Sequence, residues 1–317
     1  MPDFPTRTAV LSGIFVPTLA PVRPDGSLNE EEASRLFDWL LSHGVAGLYP
    51  NGSTGEFARL TDAQQDTLLG LAVAAAAPRD AAVLAGAAGG TVRLALDRCR
   101  AAADRGATAA AVVAPYYYAL QPDTVEGFYR ELAAQSPIDL LLYNIPLFAS
   151  AIPPEVVRRL ALDCPRIVGI KDSSGDADAM RQMIDAVRPQ RPAFTFLTGW
   201  DTELLTLLRL GCDGGTHASA NVIPDRMVAL HDAFRRGDDD AAAAIQRPVA
   251  DLFNAMIGTG GDGPEFPDGF RVGCAARGFG VRDGLLPRSA QQTAALDALA
   301  ARLPGLLAAF DTPEPTR

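Results

Sequence analysis

Lys171 is the sole lysine of a 317-residue chain whose other basic side chains are all arginine. A chain that uses Arg wherever a cation serves, and keeps one lysine, implies a site where a guanidinium cannot substitute. An amine can lose its proton and attack a carbonyl, whereas a guanidinium stays charged. Lys171 ends the apolar run Ile167-Val168-Gly169-Ile170 and precedes Asp172-Ser173-Ser174-Gly175-Asp176. That pattern reads as a buried strand passing into a loop and a helix start. Tyr143 ends a second such run, Leu140-Leu141-Leu142. Asn51-Gly52-Ser53-Thr54-Gly55-Glu56 offers hydroxyls and N–H groups for a carboxylate, with glycines that permit close backbone approach. Pro115-Tyr116-Tyr117-Tyr118 and Thr198-Gly199-Trp200-Asp201 follow further apolar runs. Together these groups suit imine chemistry. The amine adds to the ketone of a 2-oxo acid and loses water, and the resulting iminium draws electrons from the neighbouring carbon. A phenol close to the imine can shuttle protons. Ser53 is placed to connect that phenol to a second tyrosine, and Thr54 to hold the substrate carboxylate.

Positioning these loops on one rim requires a repeating scaffold, and the chain repeats. Short β-like runs at 13–18, 45–49, 82–86, 109–113, 140–143, 167–171, 194–197 and 214–216 alternate with helical patterns. The helices are expected at 29–42, 61–76, 91–105, 124–135, 154–162, 176–188, 202–210 and 224–236. Successive βα units with short connections are what a (β/α)₈ TIM barrel requires, and its functional residues come from the C-terminal ends of its strands. The runs are unalternating, as expected when both faces are buried. A doubly wound open sheet is the competitor. It normally places a glycine fingerprint after the first strand, and Gly13 to Gly26 contains none. The expected division is a barrel over 1–237 and a C-terminal helical extension of the same domain over 238–317. The stretch Gly258 to Pro264 superficially suggests a phosphate loop, but lacks the following Gly-Lys-Ser/Thr and reads as a flexible connection.

Composition narrows the class. Hydrophobic content of 48% supports a large core, and the formal charge of −10 without a basic block argues against nucleic acid and anionic membranes. No run approaches about 20 continuous apolar residues, so no membrane span is expected. The N-terminus Met1-Pro2-Asp3-Phe4-Pro5 lacks the regions of a signal peptide. Cys99, Cys164, Cys212 and Cys274 are widely spaced, consistent with reduced thiols and a cytoplasmic location. His43, His217 and His231 are isolated, and no metal-ligand cluster is expected.

Gly52-Ser53-Thr54-Gly55-Glu56, Tyr143-Asn144-Ile145-Pro146 and Gly169-Ile170-Lys171-Asp172-Ser173-Ser174-Gly175-Asp176 resemble the signatures of the N-acetylneuraminate lyase and dihydrodipicolinate synthase superfamily of class I aldolases. Pro17-Thr18 with Asp25-Gly26, Pro115-Tyr116-Tyr117 and Gly211-Cys212-Asp213-Gly214-Gly215 fit in order and spacing. The resemblance implies that Lys171 is the Schiff-base lysine and Tyr143 the proton-transfer phenol. Ser53 and Tyr117 would be its relay partners, with Tyr117 reaching across a subunit contact. Thr54 would bind the 2-oxo acid carboxylate, with Ser173, Gly199, Phe148 and Ala218 as further substrate-binding positions. It further implies no cofactor beyond the lysine imine, a 2-oxo acid such as pyruvate as substrate, and a homodimer or homotetramer.

Two departures bear on the substrate. Phe148 stands where dihydrodipicolinate synthases carry an Arg for the carboxylate of aspartate semialdehyde, and a phenyl ring cannot pair with a carboxylate. Thr202 and Ala218 stand where sialic acid lyases usually have an acidic residue and a Ser. The expected activity is therefore aldol cleavage or formation at a 2-keto-3-deoxy acid. Rivals are a hydro-lyase of a 2-keto-3-deoxy sugar acid, the dihydrodipicolinate synthase condensation that Phe148 disfavours, and a non-catalytic 2-oxo acid binding protein.

Overall fold

Each apolar run forms a strand hydrogen-bonded to the one next in sequence, in a computed structural model that describes residues 11–258, 263–281 and 284–310. The strands are β1 (Gly13–Pro17), β2 (Gly47–Tyr49), β3 (Ala82–Gly86), β4 (Ala109–Val113), β5 (Leu140–Asn144), β6 (Ile167–Asp172), β7 (Thr195–Thr198) and β8 (Gly214–Thr216). All pair in parallel, and β8 returns to β1, so the sheet closes into a barrel and the open-sheet alternative is excluded. Between and after them run α1 (Glu30–Ser42), α2 (Asp62–Ala76), α3 (Val92–Arg105), α4 (Pro122–Gln135), α5 (Pro154–Asp163), α6 (Ala177–Val187), α7 (Leu204–Arg209) and α8 (Pro224–Arg235). The extension comprises α9 (Asp239–Ile257), α10 (Asp268–Ala276) and α11 (Ala290–Ala308). Residues 259–262 of the glycine-rich stretch, and the N-terminal segment read above, lie outside the described residues.

Capping side chains set several helix starts. Asn29, Thr61, Thr91, Asp176 and Asp238 each accept a backbone N–H of the first turn, each worth about 1 kcal/mol. Thr61 and Gln64 close a reciprocal capping box. The helix after β7 departs from expectation. It opens as a 3₁₀ turn over Asp201–Glu203 before α7, because the buried Asp201 carboxylate turns inward to accept the Ser219 N–H at 2.7 Å.

Strand faces explain the unalternating sequence. Ile14, Val16, Leu142 and Ile170 face outward and join the apolar layer under the helices. Phe15, Leu84, Leu141, Val168 and Leu197 face inward and plug the barrel, so both faces are dry and the interior is a packed core. One irregularity decides which way Lys171 faces. Leu140 pairs with Ile167 but Leu141 pairs with Gly169, leaving Val168 as an extra residue. With strict alternation, inward Val168 would put Lys171, three positions later, on the outer face. The bulge restores Lys171 to the interior, paired in register with Tyr143.

Among the described residues, no helix is long and apolar enough to cross a membrane. None of them form a group of three or more His, Cys, Asp or Glu that could hold a metal.

Candidate active site

Lys171 is only 5% exposed, and its amine lies between two aromatic faces. Nζ is 4.1 Å from the Tyr143 ring centroid and 4.8 Å from that of Tyr49. The two rings meet edge to face at 6.2 Å. Tyr49 ends β2 at the same level of the barrel, so strand register alone delivers it. Burial, with Tyr143 beside it, holds the Tyr49 phenol well above its ordinary range, so it packs as a neutral ring. The Tyr143 hydroxyl lies 3.3 Å from Ser53 Oγ. The amine, phenol and hydroxyl expected to act together are therefore brought together, from β6, β5 and the loop after β2.

Hydrogen bonds fix the ends of β5, β6 and β7 relative to one another. Asn144 Nδ2 donates to Asp172 Oδ1 at 2.6 Å, while Asn144 Oδ1 accepts the Ile152 N–H at 3.0 Å. The Ser173 N–H donates to the Asn144 carbonyl and the Gly199 N–H to the Asp172 carbonyl. Burial raises the Asp172 carboxyl, and bonds from Ser174 and Asn144 oppose the shift. Ser173 and Gly199 sit directly beside the amine. A Cβ on Gly199 would lie 1.9 Å from Ser173 Oγ and 3.1 Å from Lys171 Cε, so any side chain there displaces the Ser173 hydroxyl and crowds the lysine stem.

The loop carrying Ser53 and Thr54 is bracketed by two residues in left-handed backbone, Asn51 at φ 60° and Glu56 at φ 56°. Such backbone persists where the surroundings enforce it. The Asn51 amide donates to the Gln65 carbonyl at 2.9 Å. Glu56 is buried and paired with Arg59 and with the fully buried Arg271 of α10, whose Nε lies 2.8 Å from Oε2. A Cβ on Gly55 would meet the Thr18 carbonyl at 2.7 Å, so glycine lets this loop close over β1. Thr54 is buried within it. The motif made Ser53 and Thr54 visible in the sequence, but nothing local marked Glu56 as the anchor of a helix 215 positions away.

Beside Ser53 opens a cleft of about 290 Å³, whose walls include Phe57, Val113, Tyr116, Ile145, Phe148 and Phe266. Phe148 is 46% exposed and stacks at a tilt on Phe266, centroids 5.9 Å apart. Tyr116 faces Phe57 edge to face at 5.8 Å. Tyr116, not Tyr117, is thus the residue of the tyrosine loop that faces the cleft within one chain. Tyr117 is 89% exposed, with φ 79°, and packs against Tyr118. Ala218 opens the 3₁₀ turn Ala218–Asn221 and packs in the apolar layer outside the strands. His217 is fully buried there, its Nδ1 3.5 Å from the Asp201 carboxylate.

Comparison with known proteins fits this arrangement. The family model for the dihydrodipicolinate synthetase family matches residues 10–303. A probable 2-dehydro-3-deoxy-D-pentonate aldolase, YjhH of Escherichia coli K12, is 34% identical over 76% of this chain and 80% of its own. The 4-hydroxy-tetrahydrodipicolinate synthase 1 of Streptomyces coelicolor is 35% identical over 76% of this chain and 77% of its own. The crystal structure of YagE from E. coli K12, in complex with pyruvate, superposes with a TM-score of 0.87 at 28% identity, covering 94% of this chain and 99% of that one. With barrel, motifs and nearly full-length match in agreement, the chain belongs to the dihydrodipicolinate synthetase family.

Proposed function

We propose that the protein is a class I, pyruvate-dependent lyase that cleaves or forms the C3–C4 bond of a 2-keto-3-deoxy acid through an imine on Lys171. The observation that carries this reading is the buried amine held against Tyr143, whose hydroxyl reaches Ser53. The amine attacks C2 of the 2-oxo acid and water leaves. Loss of the C4 hydroxyl proton then lets the C3–C4 electrons move into the iminium, releasing an aldehyde and leaving an enamine. Protonation at C3 and hydrolysis return pyruvate and the free amine. Tyr143 moves the proton at the C4 oxygen, with Ser53 as its relay. Thr54, on the loop anchored by Glu56, holds the carboxylate, and Ser173 and Gly199 shape the floor beside the imine. The relatives named as aldolases support this chemistry. Phe148, packed on Phe266 in the cleft, supports aldol chemistry over condensation with aspartate semialdehyde, whose carboxylate would find no cation at that position. The chain works as a homo-oligomer, to which the exposed Tyr117 contributes.

A lactate dehydrogenase-coupled screen of 2-keto-3-deoxy acids tests the activity. Pyruvate release from at least one is expected. Release from none, by a folded protein, contradicts the reading.

A further inference from the structure

The cleft beside Ser53 bears on the second substrate, and the inference rests on the aldolase reading above. The cleft borders the reacting centre at Ser53. Ser53 lines it and lies 3.3 Å from the Tyr143 hydroxyl, while Val113 and Ile145 of its wall pack in one apolar cluster with Tyr143. This adjacency makes the cleft the space nearest the reacting centre for a group attached to the new carbon–carbon bond. Its lining is mainly apolar: Phe57, Tyr116, Ile145, Phe148, Phe266 and Pro267 all face it. Two ring pairs, Phe57 with Tyr116 and Phe148 with Phe266, supply edges and faces for a further ring. The charged groups on the lining, Glu56 and Arg59, are paired with each other, and Glu56 is also bound by Arg271. The volume, about 290 Å³, exceeds the roughly 150 Å³ of an apolar cavity that holds benzene.

We propose that this cleft selects an aromatic aldehyde, so that the chain joins pyruvate to an aryl aldehyde, and cleaves the matching 4-aryl-4-hydroxy-2-oxo acid, in preference to polyhydroxylated partners. In the forward direction the enamine C3 bonds to the aldehyde carbon, and the aldehyde oxygen takes one proton through Tyr143. Water then hydrolyses the iminium, replacing the molecule lost when it formed, and no oxidant or reductant is needed. A sugar-derived aldehyde would press its hydroxyls against ring carbons, and each one left unpaired lowers efficiency by about tenfold. Phe148 and Phe266 act together here, one from the loop after β5 and the other from the segment before α10. The C-terminal extension thus builds one wall of the aldehyde site.

The test compares kcat/KM for benzaldehyde and for glyceraldehyde with saturating pyruvate, alongside borohydride trapping of pyruvate alone. Benzaldehyde is expected to exceed glyceraldehyde by about tenfold or more. Phe148→Ala is expected to lower the benzaldehyde value by about tenfold and the glyceraldehyde value much less. Equal or better use of glyceraldehyde overturns the proposal. So does efficient pyruvate trapping with no aryl condensation, which leaves the lysine chemistry standing. Absence of trapping overturns the aldolase reading itself, and this proposal with it.

Discussion

In the proposed mechanism Lys171 and Tyr143 divide the chemistry between an amine and a phenol, and each can be removed without emptying the barrel. Tyr143→Phe keeps the ring that packs on the amine and deletes only the hydroxyl at 3.3 Å from Ser53. We expect kcat to fall by about 10²- to 10⁴-fold with little change in KM, as for loss of a proton-transfer group. Steady-state pyruvate release checks this, and a rise in KM at constant kcat would assign the hydroxyl to binding instead. That Lys171, Tyr143 and Ser53 would gather at one place was legible in the sequence, because reactive side chains stood at or just after the ends of apolar runs. Tyr49 and Phe266 were not. Tyr49 reaches the amine through strand register, and Phe266 reaches Phe148 through a tertiary approach that no local pattern encodes.

Elements do the positioning, and the two that matter most are a bulge and a clamped loop. The bulge at Val168 turns Lys171 inward. It was illegible because a strand buried on both faces carries no alternation from which a slipped residue can be seen. Element boundaries were read to within a residue or two. The two-residue offsets at α4, which starts at Pro122, and at α7, which follows a 3₁₀ turn, come from a proline suited to a helix first turn and from the inward turn of Asp201. The loop carrying Ser53 and Thr54 is held by Glu56, and Glu56 by Arg271. Arg271→Leu leaves a buried carboxylate with only Arg59 as partner. We expect a loss of about 3 kcal/mol in stability together with a raised KM for pyruvate, read from thermal unfolding and steady-state kinetics. A lowered melting temperature with unchanged KM would make the pair a scaffold contact alone.

At the scale of the whole molecule, the repeat of strand and helix carried enough information to place a closed barrel and the rim where the candidate residues gather. The course of the extension was not readable, since side-chain pairs that seat α10 reach loops more than 200 positions away, as in the Arg271–Glu56 pair. The surface carries a further consequence. Tyr117, Tyr118 and Leu147 are exposed, and their two loops are joined by the bridge between Tyr116 and Ala149 and by the Ser150 hydroxyl, which accepts the Leu120 N–H. Clustered aromatic side chains on one surface are characteristic of interfaces. Sedimentation at micromolar concentration is expected to show a dimer or larger assembly. A fully active monomer would contradict it.

The most direct test of the central claim uses the lone lysine. Incubation with pyruvate followed by borohydride reduces the imine to a stable secondary amine. One added pyruvate-derived mass per chain is expected, mapped to the peptide containing Gly169-Ile170-Lys171. Lys171→Arg should abolish both label and turnover while the fold survives. Label elsewhere, or undiminished turnover in that variant, would contradict the mechanism.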